Sequence, residues 1–149
     1  MTPAKPYLRW LLNFWPPFLG AGICIMRFDP NWRAIDVEMK LRFWNRNYVG
    51  THYGGSLYSM ADPFFMVMLI NILGPSYIVW DKSASIRFRR PGRGTVHAHF
   101  EITDEQIASI RQQLETAEKI EPTLNVEVKD ASGQVIAEIQ KVLSIRRKQ

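Results

Sequence analysis

The 149-residue chain holds a single cysteine, Cys24. No intrachain disulfide and no cysteine-built zinc site can therefore form, and a lone thiol fits a reducing, cytoplasmic setting. Histidine is also scarce, at three residues. Acid is outnumbered, with 14 Asp and Glu against 19 Lys and Arg, so the net charge of +5 favours an anionic partner without choosing its class. No internal repeat, low-complexity stretch or linker interrupts the chain, so one domain over 1–149 is expected. An unbroken membrane-spanning run is lacking too. The uncharged stretch Trp10 to Met26 contains Asn13 and the pair Pro16-Pro17, which breaks a helix midway. It reads as a covering helix over Lys5 to Phe14, part of an N-terminal cover over 1–20, and then a strand near Gly22 to Phe28. Its Trp and Phe content also suits a helix lying at a membrane interface, the lesser reading.

What the chain does have is 46% apolar residues arranged with clear periodicity. Ile35, Val37, Met39, Leu41 and Phe43 alternate with Asp36, Glu38, Lys40 and Arg42, the pattern of a half-buried strand. Ala84, Ile86 and Phe88 alternate likewise, and the turn Arg90-Pro-Gly-Arg-Gly94 leads to Val96, Ala98, Phe100 and Ile102; the two runs read as a hairpin. Thr103-Asp-Glu-Gln106 has the form of a capping box, opening a helix over about 104–118 with Ile107, Ile110, Leu114 and Ala117 on one face. Leu124, Val126 and Val128 form a further strand. The last runs from Val135 to Ile145, with Lys141 interrupting its inward phase at an expected bulge.

Between the first clear strand and the second lies Asn47-Tyr-Val-Gly-Thr-His-Tyr-Gly-Gly-Ser-Leu-Tyr-Ser-Met-Ala-Asp62, which runs into the apolar segment Phe64 to Leu73. A helix apolar on all sides must be buried on all sides, and only a sheet wrapped around it can do so here. The fold class is α+β, with about six antiparallel strands around a central helix at about 55–73. Asp62 is the one carboxylate on that helix, and a buried carboxylate is costly unless it is hydrogen-bonded or used. Asp62-Pro63 also has the form of an N-cap followed by proline at the first helical position, under which the helix would begin at Pro63. A continuous helix would lose the hydrogen bond to the Ser59 carbonyl and kink at the carboxylate.

Arg87, Arg89, Arg90 and Arg93 cluster at a strand end and turn, with Lys82 nearby. They suit either a wet strand face or a clamp on phosphates. Nucleic acid is disfavoured because Phe88 is read on the inward phase rather than exposed among them. His97-x-His99 places two imidazoles on one strand face, but no cysteine or carboxylate spacing completes a metal site, and none is expected.

The spacing Asn47-x-x-Gly50-Thr51-x-x-Gly54-Gly55 followed by Asp62 resembles the hotdog-fold acyl-CoA thioesterases, near the branch of phenylacetyl-CoA thioesterase-like enzymes. Phe88-Arg-Arg-Pro91 is similar to that family's Phe-x-x-Pro strand end, and element order extends the likeness over about Ile35 to Ile145. The resemblance implies a metal- and cofactor-free hydrolase with a coenzyme A thioester as substrate. It implies a homodimer, with further pairing into a tetramer left open. By the same resemblance the Gly54 N–H, helped by Gly55, polarises the thioester carbonyl. Asp62 is the general base for water or the nucleophile, and Asn47 orients the water. Tyr53 stands where the related enzymes have histidine, and the histidine lies one place earlier, at His52, a further catalytic candidate. Tyr53 and Ser59 are expected to contact substrate, together with Arg87, Arg89, Arg90 and Arg93 on the coenzyme phosphates. The Tyr53 departure and the aromatic N-terminal helix leave a second function open, a non-catalytic acyl- or lipid-binding protein.

Overall fold

A computed structural model describes residues 7–148. Two short helices, α1 (Tyr7–Asn13) and α2 (Pro16–Ala21), precede strands β1 (Ile23–Phe28) and β2 (Ala34–Lys40). Helices α3 (Gly54–Ser59) and α4 (Phe64–Leu73) follow, then β3 (Tyr77–Phe88), β4 (Thr95–Glu101), α5 (Asp104–Thr116), the two-residue β5 (Lys119–Ile120), β6 (Thr123–Asp130) and β7 (Val135–Arg147). The proline pair starts α2, with Pro16 in its first turn, where a missing N–H costs nothing. The covering segment is thus two helices and not one; Lys5 lies outside the described residues.

The strands form one antiparallel sheet in the order β1-β2-β4-β6-β7-β3, with β5 paired to β7. The sheet encloses α4, whose Phe64, Phe65, Met68, Leu69, Ile72 and Leu73 are buried. Phe64 and Phe65 both pack against the Phe100 ring of β4, at centroid distances of 4.9 and 5.2 Å. Alternation in β2 buries Ile35, Val37 and Met39, but the strand ends at Lys40, so Leu41 and Phe43 do not continue it: Leu41 is only half-buried and Phe43 is exposed. The capping box at Thr103 and Gln106 forms, and Ile107, Ile110 and Leu114 are the buried stripe of α5.

Three further expectations are corrected. The strands on either side of Arg90–Gly94 are not a hairpin: β3 pairs with β7, while β4 pairs with β2 and β6. Arg89 and Arg90 donate their backbone N–H groups to the Ile136 carbonyl, which holds the chain on β7 before it crosses to β4. The second concerns Phe88, which is 55% exposed, because β3 is an edge strand whose outer half has nothing beside it in one chain. The third is the bulge. Irregularities fall at Lys82 in β3 and near Ile136 in β7, so Lys141 keeps the inward phase of Ile139, Leu143 and Ile145 and is fully buried.

The central helical segment runs from Gly54 to Leu73 and is long and apolar enough to cross a membrane, but it lies inside the sheet. It is broken at Met60–Pro63, between α3 and α4. Pro63 has no N–H for the Ser59 carbonyl, which instead receives the Asp62 N–H at 3.4 Å, one residue earlier.

Candidate active site

The loop before α3 is built around Asn47. Its side-chain oxygen accepts from the Val49 and Thr51 N–H groups, and its amide nitrogen donates to Thr51 Oγ1 and the His52 carbonyl. All four hydrogen-bonding positions of the amide are engaged by its own loop, so none is left to orient a water, the role expected of Asn47. Gly50, at φ +80°, makes the turn that lets the chain fold back on Asn47. The loop is tied to the arginine turn through His52, whose N–H donates to the Gly92 carbonyl at 3.0 Å and whose Nε2 faces the Gly94 carbonyl at 2.9 Å. Burial pulls the His52 pKa below its ordinary value, only partly offset by the Gly94 carbonyl, so the ring is neutral at pH 7 with its proton on Nε2. The other ring nitrogen, Nδ1, is buried and has no partner among the described residues.

These ties leave a cleft of about 530 Å³ lined by Asn47, His52, Gly54, Phe88 and the 89–93 turn. Gly54 opens α3 on its wall. Tyr53 is the N-cap residue and gives no side-chain cap, so the first amides of the helix face outward without one. A Cβ on Gly54 would lie 2.9 Å from Cζ of Phe88, so only glycine lets the backbone approach that ring without displacing it. Arg89, Arg90 and Arg93 reach the cleft; Arg89 is also paired with Glu138 at 2.7 Å. Arg87 does not: it lies on the outer sheet face beside Asn125, Glu127 and Glu138. Tyr53 is exposed at the cap of α3, and its ring lies where a Cβ on the adjacent Gly55 would be. The Ser59 hydroxyl donates to the Gly55 carbonyl at 2.8 Å, a bond within α3.

Asp62 does not line the cleft of its own chain. It makes no capping bond either, since Pro63 occupies the N-cap of α4 and no side chain caps that helix. Its Oδ1 instead accepts from the Tyr58 hydroxyl at 3.1 Å and from Lys141 Nζ at 3.2 Å. Lys141 Nζ also donates to the Asp62 carbonyl at 2.9 Å and to Asp81 Oδ2 at 3.0 Å, and lies 3.3 Å from the Tyr58 oxygen. The Asp62 side chain is 55% exposed, so the break in the central helix brings the carboxylate to the surface and not into the core.

Burial pushes the Tyr58 phenol up against the opposing pull of Lys141, so it remains a donor. Burial pulls Lys141 down, but the hydrogen bond and charge of Asp81, the Tyr58 hydroxyl and the Asp62 charge outweigh it, and its pKa is raised. Tyr58, Asp81 and Lys141 were not among the candidates read from the sequence. The visible signal was Lys141 itself, a lysine in phase with buried Ile139 and Leu143. His97 and His99 face the carboxylates Glu38 and Asp36 of β2 on the outer face of the sheet.

No curated protein matches the chain. Solved structures do. A protein of unknown function and probable thioesterase, PA5026 from Pseudomonas aeruginosa, is similar at a TM-score of 0.83 with 23% identity, covering 99% of both chains. The thioesterase HI1161 from Haemophilus influenzae is similar at 0.68 with 15% identity, over 99% of this chain and 96% of that one. PaaI from the phenylacetic acid degradation operon of Escherichia coli is similar at 0.64 with 17% identity, over 95% and 91%. At these identities the likeness is one of fold, and the fold is the hotdog fold. By sequence, residues 5–145 match the family described as "Domain of unknown function (DUF4442)", and the chain belongs to that family.

Proposed function

We propose that this chain is an acyl-CoA thioesterase that works as a homodimer, with each site shared between two subunits. The observation that carries the proposal is the placement of two groups along the edge strand β3, which pairs with β7 on one side and is open on the other. Phe88, at its end, packs at Gly54 and the cleft, whereas Asp81, seven residues earlier, is joined through Lys141 to Asp62. Gly54 and Asp62 are eight residues apart along the central helical segment, about 12 Å at the helical rise, too far for one chain to bring both to one thioester carbonyl. Antiparallel pairing of β3 with its own copy about a two-fold axis puts the Phe88 end of one strand opposite the Asp81 end of the other. The cleft of one subunit then faces the carboxylate of its partner, twice.

In that arrangement the acyl thioester lies in the cleft with its carbonyl oxygen on the Gly54 N–H, helped by Gly55, where uncapped helix-start amides stabilise the developing oxyanion. Arg89, Arg90 and Arg93 hold the coenzyme phosphates. Asp62 supplies the carboxylate that activates water or attacks the carbonyl carbon; either way the thiolate of coenzyme A leaves and the acyl group departs as the carboxylic acid. Asn47 and His52 keep the loop and the arginine turn in register, and no metal or cofactor is required.

The test follows free thiol release from acetyl-, medium-chain, long-chain and phenylacetyl-CoA, comparing wild type with Asp62→Asn, with the oligomeric state of both determined by sedimentation. Turnover by a wild-type dimer, lost in a dimeric Asp62→Asn, is the expected result. Tight acyl-CoA binding with no turnover would replace this reading with an acyl-binding protein.

A further inference from the structure

Three elements meet at one buried ammonium. Lys141 enters from β7 with none of its side chain exposed, Asp81 from β3, and from the central helix Tyr58 at the end of α3 and Asp62 within the break that follows it. The contacts on Asp62 are unequal. Oδ1 receives both Tyr58 Oη and Lys141 Nζ, while Oδ2 has no hydrogen-bond partner among the described residues. Nζ also grips the Asp62 carbonyl at 2.9 Å, so one ammonium fixes both the backbone and the side chain of the same residue.

From this geometry we infer that Lys141 is the positioning residue of the active site: with Tyr58 it clamps Asp62 by one oxygen and leaves Oδ2 as the oxygen that faces substrate or water. The inference rests on the thioesterase reading above. Asp81 also leaves one oxygen, Oδ1, without a partner among the described residues, but that oxygen is buried; the free oxygen of Asp62 sits at a helix break on a side chain that is 55% exposed. A carboxylate held at two points cannot rotate freely about its side-chain bonds, so Oδ2 presents a lone pair in one direction. Tyr58 and Asp62 are four residues apart, adjacent on a helical surface, and the turn at Met60–Pro63 keeps them in contact although the helix is interrupted. Asp81 completes the device from the far side: it supplies the second carboxylate that a buried ammonium needs, which allows Asp62 to give up only one oxygen.

The experiment measures kcat and KM separately, per folded dimer, for wild type, Asp62→Asn, Lys141→Met and Tyr58→Phe on the best acyl-CoA substrate. Lys141 and Tyr58 act on the carboxylate and not on coenzyme A. Lys141→Met is expected to lower kcat about a hundred-fold and Tyr58→Phe about ten-fold, with KM within about two-fold of wild type, as misplacement of a reacting group does. If Lys141→Met does not fold, the double variant Lys141→Met with Asp81→Asn removes the stranded carboxylate and carries the same expectation. If wild type is active, Asp62→Asn is not, and folded Lys141→Met retains its kcat, the clamp is wrong and the thioesterase reading stands. If wild type is inactive, or Asp62→Asn retains full activity, the thioesterase reading fails and the clamp's role falls with it.

Discussion

Lys141 Nζ lies 3.2 Å from Asp62 Oδ1, joining a fully buried ammonium on the last strand to a half-exposed carboxylate at the break of the central helix. Pro63 sets where the helix breaks, and the pair holds what the break presents. With Asp81 it forms a charge triad in which only the lysine is fully desolvated. Breaking a buried pair strands the remaining charge. Lys141→Met is therefore expected to lower unfolding free energy by about 2 kcal/mol, less than for a wholly buried pair because the Asp62 side chain is 55% exposed. Urea unfolding of wild type and variant at pH 7 measures it.

The same triad makes a signed prediction in alkali. The Lys141 pKa is raised above the ordinary lysine value of 10.5, so its protonated form is favoured in the folded state. That contribution is fully present below pH 10.5 and is lost as pH rises through the higher folded value. The stability difference between wild type and Lys141→Met should be constant from pH 7 to 9 and shrink above pH 10.5. A difference independent of pH up to 12 would show that packing, not charge, accounts for the loss.

His52 titrates in the opposite sense. Its folded pKa lies below the ordinary 6.5, so the neutral ring is favoured and contributes stability above pH 6.5 that is lost as pH falls through the folded value. Since Nε2 holds the Gly94 carbonyl, protonation must place a charge on the buried Nδ1, which has no acceptor among the described residues. Wild type should lose up to about 1.4 kcal/mol per pH unit through this one group below pH 6.5, and His52→Gln should flatten that slope. Unfolding curves at pH 7, 6 and 5 decide it.

How much of this could be read from the sequence follows from the range of each signal. The alternation of Ile35, Val37 and Met39 and the Thr103–Gln106 box are local, and both appear as expected. The Pro63 break is equally local, since the missing N–H acts on a carbonyl four residues back. Strand pairing is not local. A Pro/Gly turn suits a hairpin and a crossing connection alike, and the long-range pairing of β3 with β7 and of β4 with β2 and β6 selects the second. Phe88 fits an inward alternation, but an edge strand has no neighbour to cover that face. The Lys141 network was hidden for the same reason. Its partners lie 79 and 60 residues earlier in the chain, so a lysine among isoleucines reads as an interruption until the carboxylates are in place.

Gly54 allows chemistry and stability to be separated. Its φ is not positive, so alanine there meets no backbone strain, and alanine favours the first turn of α3 by up to about 1 kcal/mol. The added Cβ would, however, sit 2.9 Å from Phe88 Cζ, closer than carbon atoms approach. Phe88 is 55% exposed and free to swing aside, but the cleft it lines is where it would go. Gly54→Ala should thus melt no lower than wild type, and on the proposed thioesterase mechanism its kcat/KM should fall at least about ten-fold, because the amide and the acyl carbonyl would no longer meet in register. Adding Phe88→Ala removes the obstructing ring and should recover most of that loss. Recovery identifies the obstruction as steric; a double variant as slow as Gly54→Ala would mean that the Gly54 amide, and not the space beside it, was disturbed.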